Sequence, residues 1–116
     1  MEIYTGKGEL LKARQFRELC RYYNAEKKWL QRLEEQRSAG NDSVHLTNKC
    51  MYLRKNIEKV DRGIQKMSDL FGEEAGQMLR RKYIGKEDIR DLSAACGVSV
   101  RTMQKRMSDW LQEIDL

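Results

Sequence analysis

The first long stretch of the chain has apolar residues at the spacing of an amphipathic helix. They recur mainly at three- and four-residue steps: Phe16, Leu19, Tyr23, Leu30 and Leu33. Glu26 occupies a step at which another apolar residue is due. The pattern predicts a helix from about Glu9 to Arg37.

A second and more regular pattern follows the polar turn at residues 38–43. Its apolar positions alternate between steps of four and three: Leu46, Cys50, Leu53, Ile57, Val60, Ile64, Met67 and Phe71. This heptad seam predicts a long helix capped by Asp42 or Ser43. Two such helices joined by a short turn form an antiparallel hairpin. We favour packing of the seam on the first helix, and a homodimer formed through the seam is the alternative.

Three shorter helices are predicted after Gly72. The first runs from Glu73 to about Ile84, where Gly85 stops it, and the second spans Ile89 to Cys96 behind the N-cap Asp88. Gly97 ends that helix, and Ser99 caps a last helix that runs towards Ile114. No alternating run predicts a strand. The predicted fold is all-α, with an N-terminal helical hairpin (1–71) and a helix–turn–helix domain (72–116).

The last two predicted helices fit the register of a helix–turn–helix. Apolar residues fall where the two helices face each other: Ile89, Leu92, Cys96, Val98 and Met103. Gly97 lies at the turn, where a positive φ is usually required. Met103, Met107, Trp110 and Ile114 form the inward stripe of the last helix.

The residues left on the outward face of the last helix suit DNA recognition. They form the predicted base-reading set: Ser99, Val100, Arg101, Gln104 and Lys105. Arginine pairs with guanine, glutamine with adenine, and an apolar side chain with the thymine methyl. Other polar residues form the predicted phosphate-contacting set: Arg80, Arg81, Lys82, Thr102 and Arg106. The plainer interpretation is that this is an ordinary solvated helix face.

The net charge and its distribution along the chain bear on the predicted DNA binding. The chain carries a formal charge of +5, which favours polyanionic partners. Residues 1–71 hold 15 Lys and Arg against 10 Asp and Glu, whereas residues 72–116 hold eight of each kind. DNA binding by the second half therefore depends on how its charges are segregated.

The sequence gives little support for a metal, cofactor, catalytic or membrane-binding site. The three cysteines, Cys20, Cys50 and Cys96, lie far apart, and His45 is the single histidine. We therefore expect no metal site, no cofactor, and buried thiols in a reducing cytoplasm. We expect no enzymatic activity, because no set of catalytic residues or phosphate-binding glycine loop is evident. No apolar run is long enough for a membrane span, so no membrane partner is expected.

Three segments resemble a known DNA-binding unit. They are Tyr83-Ile84-Gly85-Lys86, Ile89-Arg90-Asp91-Leu92-Ser93, and Gly97-Val98-Ser99-Val100-Arg101-Thr102-Met103-Gln104-Lys105-Arg106-Met107. They resemble region four of bacterial sigma factors, and more closely the ArpU-type late transcriptional regulators of phages and prophages in Gram-positive bacteria. The resemblance covers about Leu79 to Leu111. Ser93 departs from it, because the family prefers alanine there, and its hydroxyl needs a partner.

The resemblance implies a sequence-specific transcription regulator that acts on double-stranded DNA in the bacterial cytoplasm or nucleoid. RNA polymerase is then a candidate protein partner. No segment resembles the sigma region that melts the −10 element, so a regulator is expected and not a complete sigma factor. Two alternatives stay open: a protein-interaction or oligomerisation module built on the hairpin, and a DNA-packaging or recombination accessory such as a small terminase subunit. The order of hairpin and helix–turn–helix is reversed relative to the usual small terminase.

Overall fold

All regular secondary structure in the described residues is helical. A computed structural model describes residues 2–41 and 43–114, with side-chain positions from residue 12 onward. Its five helices are α1 (Glu2–Ser38), α2 (Val44–Phe71), α3 (Glu73–Tyr83), α4 (Ile89–Cys96) and α5 (Val100–Gln112). The predicted fold class and order of helices are confirmed. The molecule measures 53 × 38 × 22 Å.

Helix α1 begins at Glu2, seven residues before the predicted start at about Glu9. Gly6 and Gly8 lie inside it. Each glycine weakens a helix by about 1 kcal/mol relative to alanine. A glycine can nevertheless adopt helical dihedral angles, so the two residues lower the local helix propensity without ending the helix.

Helices α1 and α2 form the predicted antiparallel hairpin, and most of the seam is buried within the chain. Ser43 is the N-cap of α2 and accepts a hydrogen bond from the Leu46 N–H at 3.1 Å; Asp42 lies outside the described residues. Six seam positions are buried: Leu46, Cys50, Leu53, Val60, Ile64 and Met67. Phe71, at the end of the seam, remains 46% exposed. The seam thus packs inside one chain, as favoured from the sequence.

Polar contacts fix how α1 lies against α2. The Tyr23 hydroxyl donates to Asp61 at 2.7 Å. Glu26, which interrupts the apolar pattern of α1, accepts a hydrogen bond from the Asn56 amide at 2.9 Å. Glu34 pairs with Arg54 at 2.9 Å, nearer the end of the hairpin. Each contact joins particular positions of the two helices, so together they specify one register of the hairpin.

A single core joins the hairpin to the three shorter helices. It is built from residues of all five helices and of the segments beside them: Ala13, Phe16, Cys20, Tyr23, Val60, Ile64, Met67, Ala75, Met78, Leu79, Ile84, Leu92, Met103, Met107, Trp110, Leu111 and Ile114. Close packing of α3 on α2 requires Gly76, because a Cβ there would meet the Ser68 hydroxyl and lie 3.2 Å from the Ile64 carbonyl oxygen. The two predicted domains therefore share one core across the break at Gly72.

Candidate nucleic-acid interface

The turn between α4 and α5 has the predicted geometry. Asp88 caps α4 by accepting a hydrogen bond from the Arg90 N–H at 2.9 Å. Gly97 adopts φ 67° and ψ 30°, the left-handed conformation in which a side chain is costly. Ser99 accepts a hydrogen bond from the Thr102 N–H at 3.1 Å and so caps α5. Capping and the glycine together set the direction in which α5 leaves the turn.

The inner side of α5 is anchored in the core. Met103 is fully buried, and Met107, Trp110, Leu111 and Ile114 are also buried. Leu111 is an addition to the predicted stripe. Cys96, Val98 and Ile89 are half-buried against the core. The buried stripe holds α5 rigidly, so its outer face is presented in one orientation.

Ser93 is buried, and its hydroxyl has the partner that the sequence requires. It donates to the Arg90 carbonyl oxygen at 2.8 Å, within the same helix. A buried hydroxyl without a partner would cost on the order of 1–3 kcal/mol. The local hydrogen bond makes serine acceptable at this position.

The predicted base-reading residues lie at the surface. Ser99, Arg101, Gln104 and Lys105 are exposed, and Val100 is half-buried. Within the described part of the chain, Arg101 and Gln104 have no hydrogen-bond or ion-pair partner. The Ser99 hydroxyl differs, because it also donates to Thr102 at 2.9 Å and serves chiefly as a cap. Arg101 and Gln104 are therefore the members of the set best placed to bind a ligand.

Three further polar side chains of α5 differ in their freedom. The Thr102 hydroxyl oxygen accepts from Ser99, so its own hydrogen remains available to a phosphate oxygen. Lys105 lies 3.9 Å from Asp109, one turn further along the helix. The Arg106 guanidinium lies 3.9 Å from the carboxylate of Glu74 on α3. Sequence spacing gave no indication of the Glu74 contact, because it joins residues 32 positions apart.

The structure separates Arg80, Arg81 and Lys82, which the sequence suggested as one cluster. Consecutive helical residues point about 100° apart, since a turn holds 3.6 residues. Arg80 donates to Asp61 on α2 at 3.2 Å, and its guanidinium lies 5.7 Å from the centre of the Tyr23 ring. Lys82 has no ion-pair partner among the described residues. Lys82 is thus the member best placed for a phosphate.

Arg81 is engaged by Glu87 in the loop before α4. The guanidinium donates two hydrogen bonds to this carboxylate, at 2.9 and 2.8 Å. Such forked pairs are stronger than single contacts. The hydrogen bonds from Arg81 hold the pKa of Glu87 below its usual value. A phosphate would have to compete with Glu87 for Arg81.

A basic cleft lies between α1 and the segment that links α3 to α4. It measures about 580 Å³ and is open to solvent. Its walls combine five cations with two acids and a tyrosine: Arg14, Arg17, Arg21, Lys82, Lys86, Glu18, Glu87 and Tyr83. The α1 arginines were not predicted as site residues, because nothing in the local sequence pattern shows which helix packs beside residues 82–86. Their three- and four-residue spacing on one face of α1 is the signal that was present.

A second depression connects this cleft to α5. Arg17, Lys82 and Tyr83 line both depressions. The second one continues to Gln104 and Ser108 on the exposed side of α5. The polar face of α5 and the basic cleft therefore form one continuous surface.

The three thiols differ in burial. Burial raises the pKa of the Cys20 thiol to about 12, although Arg80 acts in the opposite direction. Cys50 is also buried, and Cys96 is half-buried. Within residues 2–41 and 43–114, no group of three or more His, Cys, Asp or Glu side chains is arranged to hold a metal ion. None of the helices over the same residues has both the length and the apolarity of a membrane span.

Neither protein-family models nor curated protein sequences nor solved structures give a match to this chain. The resemblance to sigma region four and to ArpU-type regulators consequently stays a prediction from the residues quoted above.

Proposed function

We propose that this chain is a sequence-specific, double-stranded DNA-binding transcription regulator of phage or prophage type. The observation that carries the proposal is the outer face of α5, where Arg101 and Gln104 are exposed and have no partner among the described residues. The helix that presents them begins at a capped turn and is anchored by a fully buried Met103. Side chains fixed to a rigid helix lose less entropy on binding than side chains of a mobile loop.

The dimensions of α5 suit the major groove of DNA. Its 13 residues extend about 20 Å at 1.5 Å per residue. The major groove is about 12 Å wide and admits one helix. Arg101 has the donors for guanine O6 and N7, and Gln104 has the donor and acceptor for adenine. Each such pair discriminates against a wrong base by about 1–3 kcal/mol.

The protein partner proposed with DNA is RNA polymerase, and this rests on the resemblance to sigma region four. The described hairpin residues between Tyr23 and Val60 lie outside the shared core and offer a second surface for such a contact. The role of the hairpin in transcription is therefore proposed as attachment to a protein, while α5 binds the DNA.

Selection of bound duplexes from random DNA tests the proposal. We expect the wild-type chain to enrich one sequence motif. Arg101→Ala with Gln104→Ala should lose that preference, by about 10-fold or more per altered base position, while helical content is unchanged. The matched control is Arg32→Ala with Gln36→Ala, which removes the same side chains from exposed positions of α1. Failure to enrich any motif, or retention of the motif by the α5 variant, contradicts the proposal.

A second candidate function is a protein-interaction module, and exposed aromatic residues of the hairpin favour it. Tyr22 and Tyr52 are 51% and 58% exposed, and Trp29 is 46% exposed. Aromatic residues are enriched at protein interfaces. Light scattering coupled to size exclusion distinguishes a monomer from a dimer. A dimer that dissociates in Tyr22→Ser with Tyr52→Ser would support this function, and it would place the contact outside the buried seam.

A further inference from the structure

The basic cleft between α1 and the α3–α4 segment has a strong charge imbalance. Five cations and two carboxylates line it, which gives a local charge of +3. Glu18 is 3.6 Å from Arg21, and Glu87 is engaged by Arg81, which does not line the cleft. Arg14, Arg17, Lys82 and Lys86 are left without an ion-pair partner among the described residues. Cations gathered this way repel one another, so an anionic ligand would relieve the repulsion.

The cleft is built on rigid elements. Arg14, Arg17 and Arg21 lie three and four residues apart on α1, so they share one helix face. Asn24 of the same helix donates to the Ile84 carbonyl oxygen at 3.4 Å, which ties α1 to the segment carrying Lys86. Phe16, on the buried face of α1, fixes the helix in the common core. The cations are therefore held at set distances from α5.

The position of the cleft points to its ligand. Lys82, Arg17 and Tyr83 continue the cleft directly to Gln104 on α5. A polyanion that places its bases against Gln104 and its backbone along α1 would fill both depressions at once. An acidic peptide would account for the cations of α1 and would leave the exposed amide of Gln104 without a role.

We infer that Arg14, Arg17 and Arg21, with Lys82 and Lys86, bind the phosphate backbone of duplex DNA beside the bases contacted by α5. This inference rests on the proposed function. The three arginines span about 10 Å of α1 at 1.5 Å per residue. One strand of B-DNA carries about three phosphates over that length of helix axis. The hairpin helix thereby adds affinity to the complex, and α5 supplies the sequence preference.

Tyr83 fits the same role as a neutral donor. Its ring is half-buried between the two depressions. Burial raises the pKa of its phenol, with Arg17 acting in the opposite direction, so the hydroxyl keeps its proton at neutral pH. A phenolic hydrogen can donate to a phosphate oxygen without adding charge.

Salt-dependent binding of the selected duplex tests the inference. The variant is Arg14→Gln with Arg17→Gln and Arg21→Gln, and its control is Lys28→Gln with Arg32→Gln and Lys55→Gln, which removes equal charge from exposed sites elsewhere. Loss of three phosphate contacts should lower the slope of log K against log salt by about 2.7. Affinity should fall roughly 10-fold or more at moderate salt. The preference for the selected site over a scrambled duplex should stay the same, because phosphates carry no sequence.

A second variant acts in the opposite direction, so misfolding cannot imitate its effect. Glu18→Gln removes a carboxylate from the cleft, and we expect binding to tighten about 2-fold to 3-fold. If the triple variant keeps the wild-type slope while the motif is still bound, the inference is wrong and the proposed function stands. If duplexes are bound with the predicted slope but without sequence preference, the cleft is confirmed and base reading by α5 is wrong. If the wild-type chain binds no duplex, both this inference and the proposed function are wrong.

Discussion

The two ends of this molecule use charged side chains in different ways. At one end, here called the base, residues of all five helices form the shared core, which includes residues between Ala13 and Tyr23 of α1 and between Val60 and Met67 of α2. At the other end, here called the tip (residues 26–41 and 43–56), α1 and α2 contribute no residue to the shared core. The tip pairs Glu34 with Arg54 and Glu26 with Asn56, so its polar residues hold the two helices together.

The base leaves several cations without a partner. Arg14, Arg17, Lys82 and Arg101 lie at its surface, and none has an ion pair within the described part of the chain. The core beneath them supplies stability, so these cations are not needed for folding. At the tip, by contrast, the Lys49 ammonium lies over the face of the Trp29 ring, 4.1 Å from the ring centre. At the base the unpaired cations other than Arg101 are gathered around one cleft, whereas at the tip Arg54 is paired across the two helices.

The largest expected effect comes from removing a large, fully buried side chain of the shared core. Phe16 is fully buried, and a Cβ built on Gly63 would lie 3.0 Å from its ring. Phe16→Ala should lower the free energy of unfolding by about 3–5 kcal/mol, because it loses apolar burial and leaves a cavity. Urea denaturation followed by circular dichroism measures the loss.

The matched change at the tip is Leu33→Ala. Leu33 is only half-buried between two helices, so we expect a loss of about 1 kcal/mol. Equal losses for the two variants would show that the tip carries as much of the stability as the base. That result would remove the physical basis of the contrast between the two ends.

A smaller effect is expected from the two serine caps, one at each end of the molecule. Ser43 caps α2 at the tip and Ser99 caps α5 at the base, each accepting a hydrogen bond at 3.1 Å. Ser43→Ala and Ser99→Ala should each cost about 1 kcal/mol of stability. Only Ser99→Ala should also weaken binding of the selected duplex, because it loosens the first turn of α5. If both variants bind DNA as the wild type does, the position of that turn is unimportant for recognition.

Local sequence chemistry was enough to predict most of the fold. Helix periodicity, the serine caps and Gly97 act through neighbours in sequence, and each gave the correct element. The start of α1 was misplaced because the cost of Gly6 and Gly8 is too small to stop a helix. The burial of the seam followed from its apolar spacing. The core shared by hairpin and helix–turn–helix could not be predicted, because it depends on how distant helices pack.

The candidate site was predictable only on α5 itself. The outward position of Arg101 and Gln104 follows from the helix period once the buried stripe is known. The basic cleft was missed because it brings α1 beside residues 82–86, which is a property of tertiary packing. Helical rotation also explains why Arg80, Arg81 and Lys82 face different partners. Adjacent charges in sequence therefore say little about adjacent charges in space.

The smallest expected effect tests whether Arg81 stabilises the folded protein or binds a phosphate of the ligand. Since Arg81 lowers the pKa of Glu87 in the folded state, this pair stabilises the protein above the usual carboxyl pKa of about 4.3. The stabilisation is lost as pH falls through the lowered value. Glu87→Gln should consequently be slightly less stable at pH 7 and should lose less stability between pH 6 and pH 3. Exposed Glu35→Gln at the tip is the control.

The same variant releases Arg81 and also removes a carboxylate from the basic cleft, so stability and DNA binding should change in opposite directions. If Arg81 can bind a DNA phosphate once Glu87 no longer holds it, the Glu87→Gln variant should bind the selected duplex more tightly although its fold is less stable. Urea melts across the pH range and binding isotherms at pH 7 measure the two quantities on one protein. An acid dependence equal to that of the wild type would show that the forked contact contributes nothing to stability. Unchanged DNA binding would place Arg81 outside the interface and leave Lys82 as the phosphate ligand of α3.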